Sequence, residues 1–125
     1  MTDYQKLREL GFQYLDSPYF CEKDRLKFNI KREEHVNLVY AILIDQKLKY
    51  IGRTKDFNVR VHTYRNAKYW CNAFTSNKVK TDRLENAVRR GRQVEFYCIY
   101  SDNYDTLEEE LISRFNPTWN KYLCC

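Results

Sequence analysis

Leu38-Val-Tyr-Ala-Ile-Leu-Ile44, then Asp45-Gln46, then Leu48-Lys-Tyr-Ile51 and Gly52 decide how this chain folds. The first run is apolar throughout and rich in β-forming residues, which reads as a largely buried strand. Asp45-Gln46 is a two-residue turn, made without the usual glycine. Leu48–Ile51 returns as a second strand and Gly52 ends it. The stretch is therefore a β-hairpin whose first strand is largely buried.

Helical and strand patterns follow it. Residues 55–67 read as a helix with Asp56 in its first turn and Phe57, Val61 and Tyr64, or Arg60 and Tyr64, on shared faces. Residues 68–78 have mixed character and read as a loop. A second helix spans 79–90, with Leu84, Ala87 and Val88 inward, and Gly91 closes it. Gln93–Tyr100 alternates at period two and forms a third strand. Asp105 caps a helix over 106–115, and Pro117 stops it. The order β-β-α-α-β-α predicts an α+β domain with a small three-stranded antiparallel sheet flanked by helices.

Upstream, Thr2-Asp-Tyr-Gln5 is a capping-box pattern opening a short helix at 3–10, with Gly11 suited to end it. Residues 12–36 are irregular by pattern, with a turn at Ser17-Pro18 and a candidate strand at 25–30. The first 36 residues form an N-terminal extension, and 37–125 the main domain.

With 125 residues and a mass of 15.3 kDa, the chain makes one domain with one cleft and no room for a second catalytic domain. Its 43% hydrophobic and 31% charged residues suit a soluble globular protein. No run of apolar residues is long enough to span a membrane, and Met1–Lys6 has no apolar leader core. Five cysteines without a CxxC pair give no closed zinc site. Cys21, Cys71 and Cys98 stand alone, and Cys124-Cys125 ends the chain. Reduced thiols in a cytoplasm are the expectation.

The net charge of +5 is concentrated. Residues 47–92 hold 13 Lys and Arg against 3 acids, a net +10, while the segments on either side hold more acids than bases. Tyr64, Tyr69, Trp70 and Phe74 are interleaved with these bases. That mixture suits a phosphate backbone and unstacked bases, and a solvated basic surface is the alternative that charge alone leaves open.

Several residues stand at telling distances. Tyr50-Ile51-Gly52 follows Leu38-Val39-Tyr40 by ten residues, Arg60 stands eight after the glycine, and Tyr64 four beyond it. Glu108-x-x-Leu111-Ile112 leads to Pro117-x-x-Asn120. Over residues 37–121 this resembles a GIY-YIG nuclease domain. The tail Arg114-Phe-Asn-Pro-Thr-Trp-Asn120 and the segment Val94–Tyr97 are most similar to a small stand-alone phage member of that family, which likewise begins with an extension. One departure is Leu-Val-Tyr where the family has Gly-Ile-Tyr; the tyrosine is retained.

The resemblance implies an Mg²⁺-dependent endonuclease, with Mn²⁺ as a substitute, that cuts foreign or host double-stranded DNA in the host cytoplasm. It implies catalytic roles for Tyr40, Tyr50, Arg60, Tyr64, Glu108 and Asn120, a structural role for Gly52, and Glu108 as metal ligand. Tyr64 matches a position that hydrogen-bonds water or phosphate, and Asn120 one that holds the glutamate's turn.

Elementary chemistry agrees with these roles. Phosphodiester hydrolysis needs an activated water, positive charge on the phosphoryl oxygens and help for the leaving oxygen. Arg60 can fork onto two non-bridging oxygens. One carboxylate with waters and substrate oxygens is a normal Mg²⁺ site. Glu108, Glu109 and Glu110 share a helical turn, which on its own is ordinary for a helix N-terminus; Glu108 is the one at the family's distance from Asn120. Tyr40 and Tyr50 are expected nearly opposite each other across the hairpin. A tyrosine is a poor base at neutral pH unless a cation helps it. His62 points away from Arg60, and His35 reads as surface.

Lys49 and Arg53 flank the hairpin and are the nearest candidates for DNA contacts. Lys55, Arg65 and Lys68 follow, with Lys78, Lys80, Arg83, Arg89 and Arg90 unranked. One domain carries one site, so a double-strand break would require a homo-oligomer or two visits. Two other readings stay open: a site-specific restriction or homing-type enzyme on the same core, with recognition in the extension and the 68–80 loop, and a binding module that has lost the chemistry.

Overall fold

The computed structural model of the chain describes residues 1–21, 25–30, 35–71 and 74–122. In chain order the elements are α1 (Asp3–Glu9), β1 (Gln13–Asp16), β2 (Tyr19–Phe20), β3 (Leu26–Lys27), β4 (Val36–Ile44), β5 (Lys47–Asp56), α2 (Phe57–Asn66), a 3₁₀ turn (Ala67–Tyr69), α3 (Thr75–Arg89), β6 (Val94–Tyr100), α4 (Tyr104–Phe115) and α5 (Thr118–Tyr122). Cys124 and Cys125 lie outside the described residues.

The hairpin turn has positive φ at both central residues, +52° at Asp45 and +64° at Gln46. This is the type I′ geometry that matches the twist of paired strands, achieved here without glycine. Asp45 is held in it from outside: its Oδ1 accepts from the Gln93 N–H at 3.0 Å and its Oδ2 from Arg92 at 3.1 Å.

β4 is the middle of the molecule. It pairs antiparallel with β5 on one side and with β6 on the other. Its even-numbered residues, Leu38 to Ile44, pack with Phe57, Tyr64, Leu84 and Phe96 beneath α2 and α3. Its odd-numbered residues, Val39 to Leu43, pack with Leu7, Phe12, Tyr97 and Leu111 beneath α1 and α4. Two cores, one on each face, explain why this strand reads as an unbroken apolar run.

The sheet has four strands, in the order β1-β6-β4-β5, where three were expected. β1 pairs antiparallel with β6. Gln13-Tyr-Leu-Asp is short, half polar and on an edge, so it carries no periodic signal; its partner lies some eighty residues downstream. The strand expected at 25–30 shrinks to Leu26–Lys27, paired with Tyr19–Phe20 in a separate small ladder. The capping box at Thr2 and Gln5 forms as expected. Gly11, at φ +102°, ends α1 with the paired bonds Phe12 N–H to Leu7 C=O and Gly11 N–H to Arg8 C=O.

Helix limits also moved. α2 starts at Phe57 because Asp56 caps it, accepting from Asn58 N–H at 2.9 Å. α3 starts at Thr75, four residues early, because its first turn Thr75-Ser-Asn-Lys offers no apolar residue to read. Asp105 is not the cap of α4: that helix begins at Tyr104, and Asp105 pairs with Arg53 at 3.3 Å. Pro117 ends α4 but also opens α5, accepting from Lys121 N–H at 3.2 Å.

Asp16 is buried and ties the extension down. Its carboxylate accepts from the Asn29 and Ile30 N–H groups, the Asn29 amide and its neighbour Ser17 N–H, at 2.7–3.0 Å. Asp16→Ala should cost about 3 kcal/mol in urea unfolding, because buried donors are left unmatched. A loss below about 1 kcal/mol would show that this loop re-forms its bonds elsewhere.

Candidate active site

The site begins with a defect in the hairpin. Near the turn Ile44 pairs with Lys47 and Leu43 with Leu48, but further on Ile42 pairs with Tyr50 and Tyr40 with Gly52. Lys49 is therefore an extra residue, a β-bulge. Without it the register would slip by one and Tyr50 would point to the other face of the sheet from Tyr40. With it both tyrosines share a face as diagonal neighbours, ring centroids 6.1 Å apart. They are not directly opposite, as expected from the position of the turn alone; Gly52 is what faces Tyr40. A Cβ on Gly52 would lie 2.6 Å from Tyr40 Cζ and 2.7 Å from the Tyr50 ring. Only glycine leaves room for the two phenols.

Tyr40, Tyr50, Arg60, Glu108 and Asn120 line one cleft of about 450 Å³, and Lys80 lines it with them. Tyr40 is 1% exposed, and its hydroxyl shares a 2.6 Å hydrogen bond with that of Tyr64. Burial pushes the Tyr40 phenol well above its ordinary value; the neighbouring Tyr64 adds to this and the Arg60 charge opposes it. Tyr64 itself is buried behind Tyr40 and does not reach the cleft, contrary to the water- or phosphate-binding position expected for it. Tyr50 is half-buried. Its hydroxyl accepts from the Lys80 ammonium at 3.2 Å, and that ammonium sits 4.3 Å from the centre of its ring. Lys80 is 2% exposed. A signal for it existed: Lys80 stands four and seven residues before Leu84 and Ala87, on the inward stripe of α3.

Of the three glutamates, Glu108 turns into the cleft while Glu109 and Glu110 face outward. Burial pushes the Glu108 carboxyl up, and Arg53, 3.8 Å away, pulls it back down. Asn120 does not hold the turn of the glutamate. Its amide accepts from Ile51 N–H at 2.8 Å and donates to Ile51 C=O at 2.7 Å, clamping α5 onto the edge strand between Tyr50 and Gly52.

A model of the GIY-YIG catalytic domain matches residues 36–122. The chain belongs to the GIY-YIG family. It is an endonuclease of that type, 36% identical to endonuclease II of Enterobacteria phage T4 over 67% of this chain and 71% of that one. Its fold matches the solved structure of a mutant of bacteriophage T4 endonuclease II with a TM-score of 0.81 and 26% identity, over 93% and 96% of the two chains. A restriction endonuclease solved with product DNA shares the fold, with a TM-score of 0.61 and 17% identity over 93% and 82%.

Around this GIY-YIG cleft the expected DNA-contact residues fall into two sets. Lys49 lines a hollow with Arg83 and Arg90, and Lys55 lines another with Arg53 and Arg60. Arg65 and Lys68 are drawn into the fold instead. Arg65 Nε donates to Leu26 C=O at 2.7 Å. Lys68 pairs with Asp82 at 3.0 Å and with buried Glu85 at 2.8 Å, and the Glu85 bond holds its ammonium above the usual range. His35 bonds the Tyr100 hydroxyl at 2.7 Å, and His62 packs on Trp70, both away from the cleft. No helix among the described residues is long and apolar enough to cross a membrane.

The Tyr40–Tyr64 bond gives a pH-dependent prediction. Tyr40→Phe should cost about 1 kcal/mol near neutral pH. Above about pH 10 an unfolded tyrosine ionises while buried Tyr40 stays protonated, so folding loses stability as pH rises, by up to about 1.4 kcal/mol per unit. The phenylalanine variant lacks that contribution, so the gap between the two proteins should close at alkaline pH. Parallel urea titrations from about pH 8 to 11 read it, and a constant gap would contradict the buried, protonated state of Tyr40.

Proposed function

We propose that this chain is a small phage-type GIY-YIG enzyme that hydrolyses phosphodiester bonds of double-stranded DNA with Mg²⁺. The observation that carries this reading is one cleft holding a guanidinium, an ammonium-paired phenol and a carboxylate. Arg60 binds the non-bridging oxygens of the scissile phosphate and neutralises the charge that builds there. Tyr50 takes the proton of the attacking water, because the Lys80 ammonium beside its hydroxyl stabilises negative charge on that oxygen as the proton is taken. Tyr40 is too well buried and too firmly protonated for that task; it packs behind Tyr50 and fixes its ring. Asn120 holds Ile51, and hence both motif positions on either side of it, against α5.

GIY-YIG nucleases are generally divalent-metal dependent. The donor set fits such an ion in a limited way. No group of three or more His, Cys, Asp or Glu suited to a metal occurs among the described residues, so Glu108 would hold it, with waters and substrate oxygens completing the shell. When bound, the ion supplies positive charge to the leaving 3′ oxygen. Arg53, 3.8 Å from the Glu108 carboxylate, sets its direction.

Nicking of supercoiled plasmid with Mg²⁺, with Mn²⁺ and with EDTA tests this function. Metal-dependent nicking is expected. A protein that binds DNA but nicks with neither ion would be a binding module on this fold. Sequencing of the cut ends separates a relaxed phage-type nuclease from a site-specific one.

A further inference from the structure

A second basic hollow, about 330 Å³, adjoins the cleft. β4, β5, α3 and α5 each send residues to both, Tyr40 to the cleft and Ile44 to the hollow in the case of β4. On α3, Asn77 and Lys80 line the cleft, while Arg83, Asn86 and the C-cap residue Arg90 line the hollow. On β5, Tyr50 lines the cleft and Lys49 the hollow. On α5, Asn120 lines the cleft and Trp119 the hollow. The bulge that turns Tyr50 into the cleft thus also delivers Lys49 to its neighbour. Trp119 forms a buried floor, with the Arg83 guanidinium 5.7 Å above its ring. Arg92 also lines the hollow, paired with Asp45. None of the described residues lining it is acidic.

On the other flank of the cleft, the hollow around Arg53 and Lys55 contains Asp56 and Asp105, and Arg53 is paired with Asp105 and Glu108. A polyanion leaving the cleft meets carboxylates in the lining on that side and none in the lining on the α3 side, where Asp45 lies behind Arg92. Along α3, Arg83 and Arg90 lie about 4.5 and 15 Å beyond Lys80 at 1.5 Å per residue. Phosphates of one strand advance about 3.4 Å along the duplex axis.

We propose that the Lys49–Arg83–Arg90 hollow is a second phosphate-binding subsite, which grips the backbone of the cleaved duplex about one to four nucleotides from the scissile bond. This rests on the nuclease reading of the cleft. The subsite positions DNA and takes no part in the chemistry. Arg83 and Arg90 are exposed, so their replacement leaves the core intact.

The test is a salt titration of binding to a duplex of about 30 base pairs in EDTA, followed by fluorescence anisotropy. Three proteins are compared: wild type, R83A/R90A, and a control that loses two charges from the extension, K6A/K27A. The slope of log K against log salt should flatten by about 1.8 in R83A/R90A, at about 0.9 per lost contact. The control should keep the wild-type slope, and R83K/R90K should restore it. An R83A/R90A slope equal to wild type overturns the subsite. Should the double variant not fold, R90E alone must weaken binding by at least about tenfold at low salt, and failure to do so overturns it equally. Mg²⁺-dependent plasmid nicking on the same preparations separates this from the nuclease reading. Nicking with an unchanged slope removes the subsite only. A flattened slope without nicking by wild type removes the nuclease reading only.

Discussion

Glu108→Ala is expected to lower metal-dependent cleavage by about 10³-fold or more, equivalent to about 4 kcal/mol of transition-state stabilisation. Glu108 is the carboxylate that lines the cleft with Arg60 and Tyr50, so its loss removes the side chain that would hold the ion. DNA binding in EDTA should be unchanged or tighter, since a carboxylate facing a phosphate is repulsive when no metal is present. Folding should not suffer. Burial already holds the Glu108 carboxyl up, so its ionised form is a liability in the folded chain. The sign follows from that direction: this group favours folding at acid pH and opposes it as pH rises past its ordinary range, so Glu108→Gln should be as stable as wild type, or more so, at neutral pH. Glu109→Ala and Glu110→Ala should keep most activity, because both face outward. Quantitative plasmid nicking across the four variants reads this. Activity retained in Glu108→Ala and lost in either neighbour would mean that the helix register at the site is wrong.

Arg60→Ala should reduce the single-turnover rate by at least about 10²-fold, about 2.7 kcal/mol, with little change in DNA affinity. Affinity is expected to be spread over many of the bases between residues 47 and 92, whereas Arg60 lines the cleft in which the scissile phosphate would sit. Arg60→Lys should recover only part of the rate, since an ammonium cannot fork onto two oxygens. A rate in Arg60→Ala within a few-fold of wild type would remove the transition-state role assigned to this side chain.

What could be read from the chain alone was whatever is written in local pattern. The hairpin was legible because an apolar strand, a two-residue turn and a returning strand lie within fifteen residues; Gly52, expected to end the second strand, stands inside β5, which runs on to Asp56. α2, α4 and β6 were legible from their apolar periods, each to within a few residues at its ends. The spacing of Tyr40, Tyr50, Arg60, Glu108 and Asn120 was legible, and all five line one cleft. The N-terminal half of α3 was not, because a polar first turn looks like a loop.

The remainder depended on partners far away along the chain. β1 became a strand only because β6 offers it an unpaired edge. Arg65 and Lys68 counted as surface bases until Leu26 and Glu85 folded against them. Lys80 looked like one more base in a basic segment, yet its helix carries it beneath the Tyr50 ring. The side of the sheet on which Tyr50 lies was decided by one bulged residue, Lys49. Residue types and spacings determined which groups could do the chemistry. Which of them face one another was settled by register and burial, because a single-residue shift in a β-ladder reverses every side chain beyond it, and no local pattern records that shift.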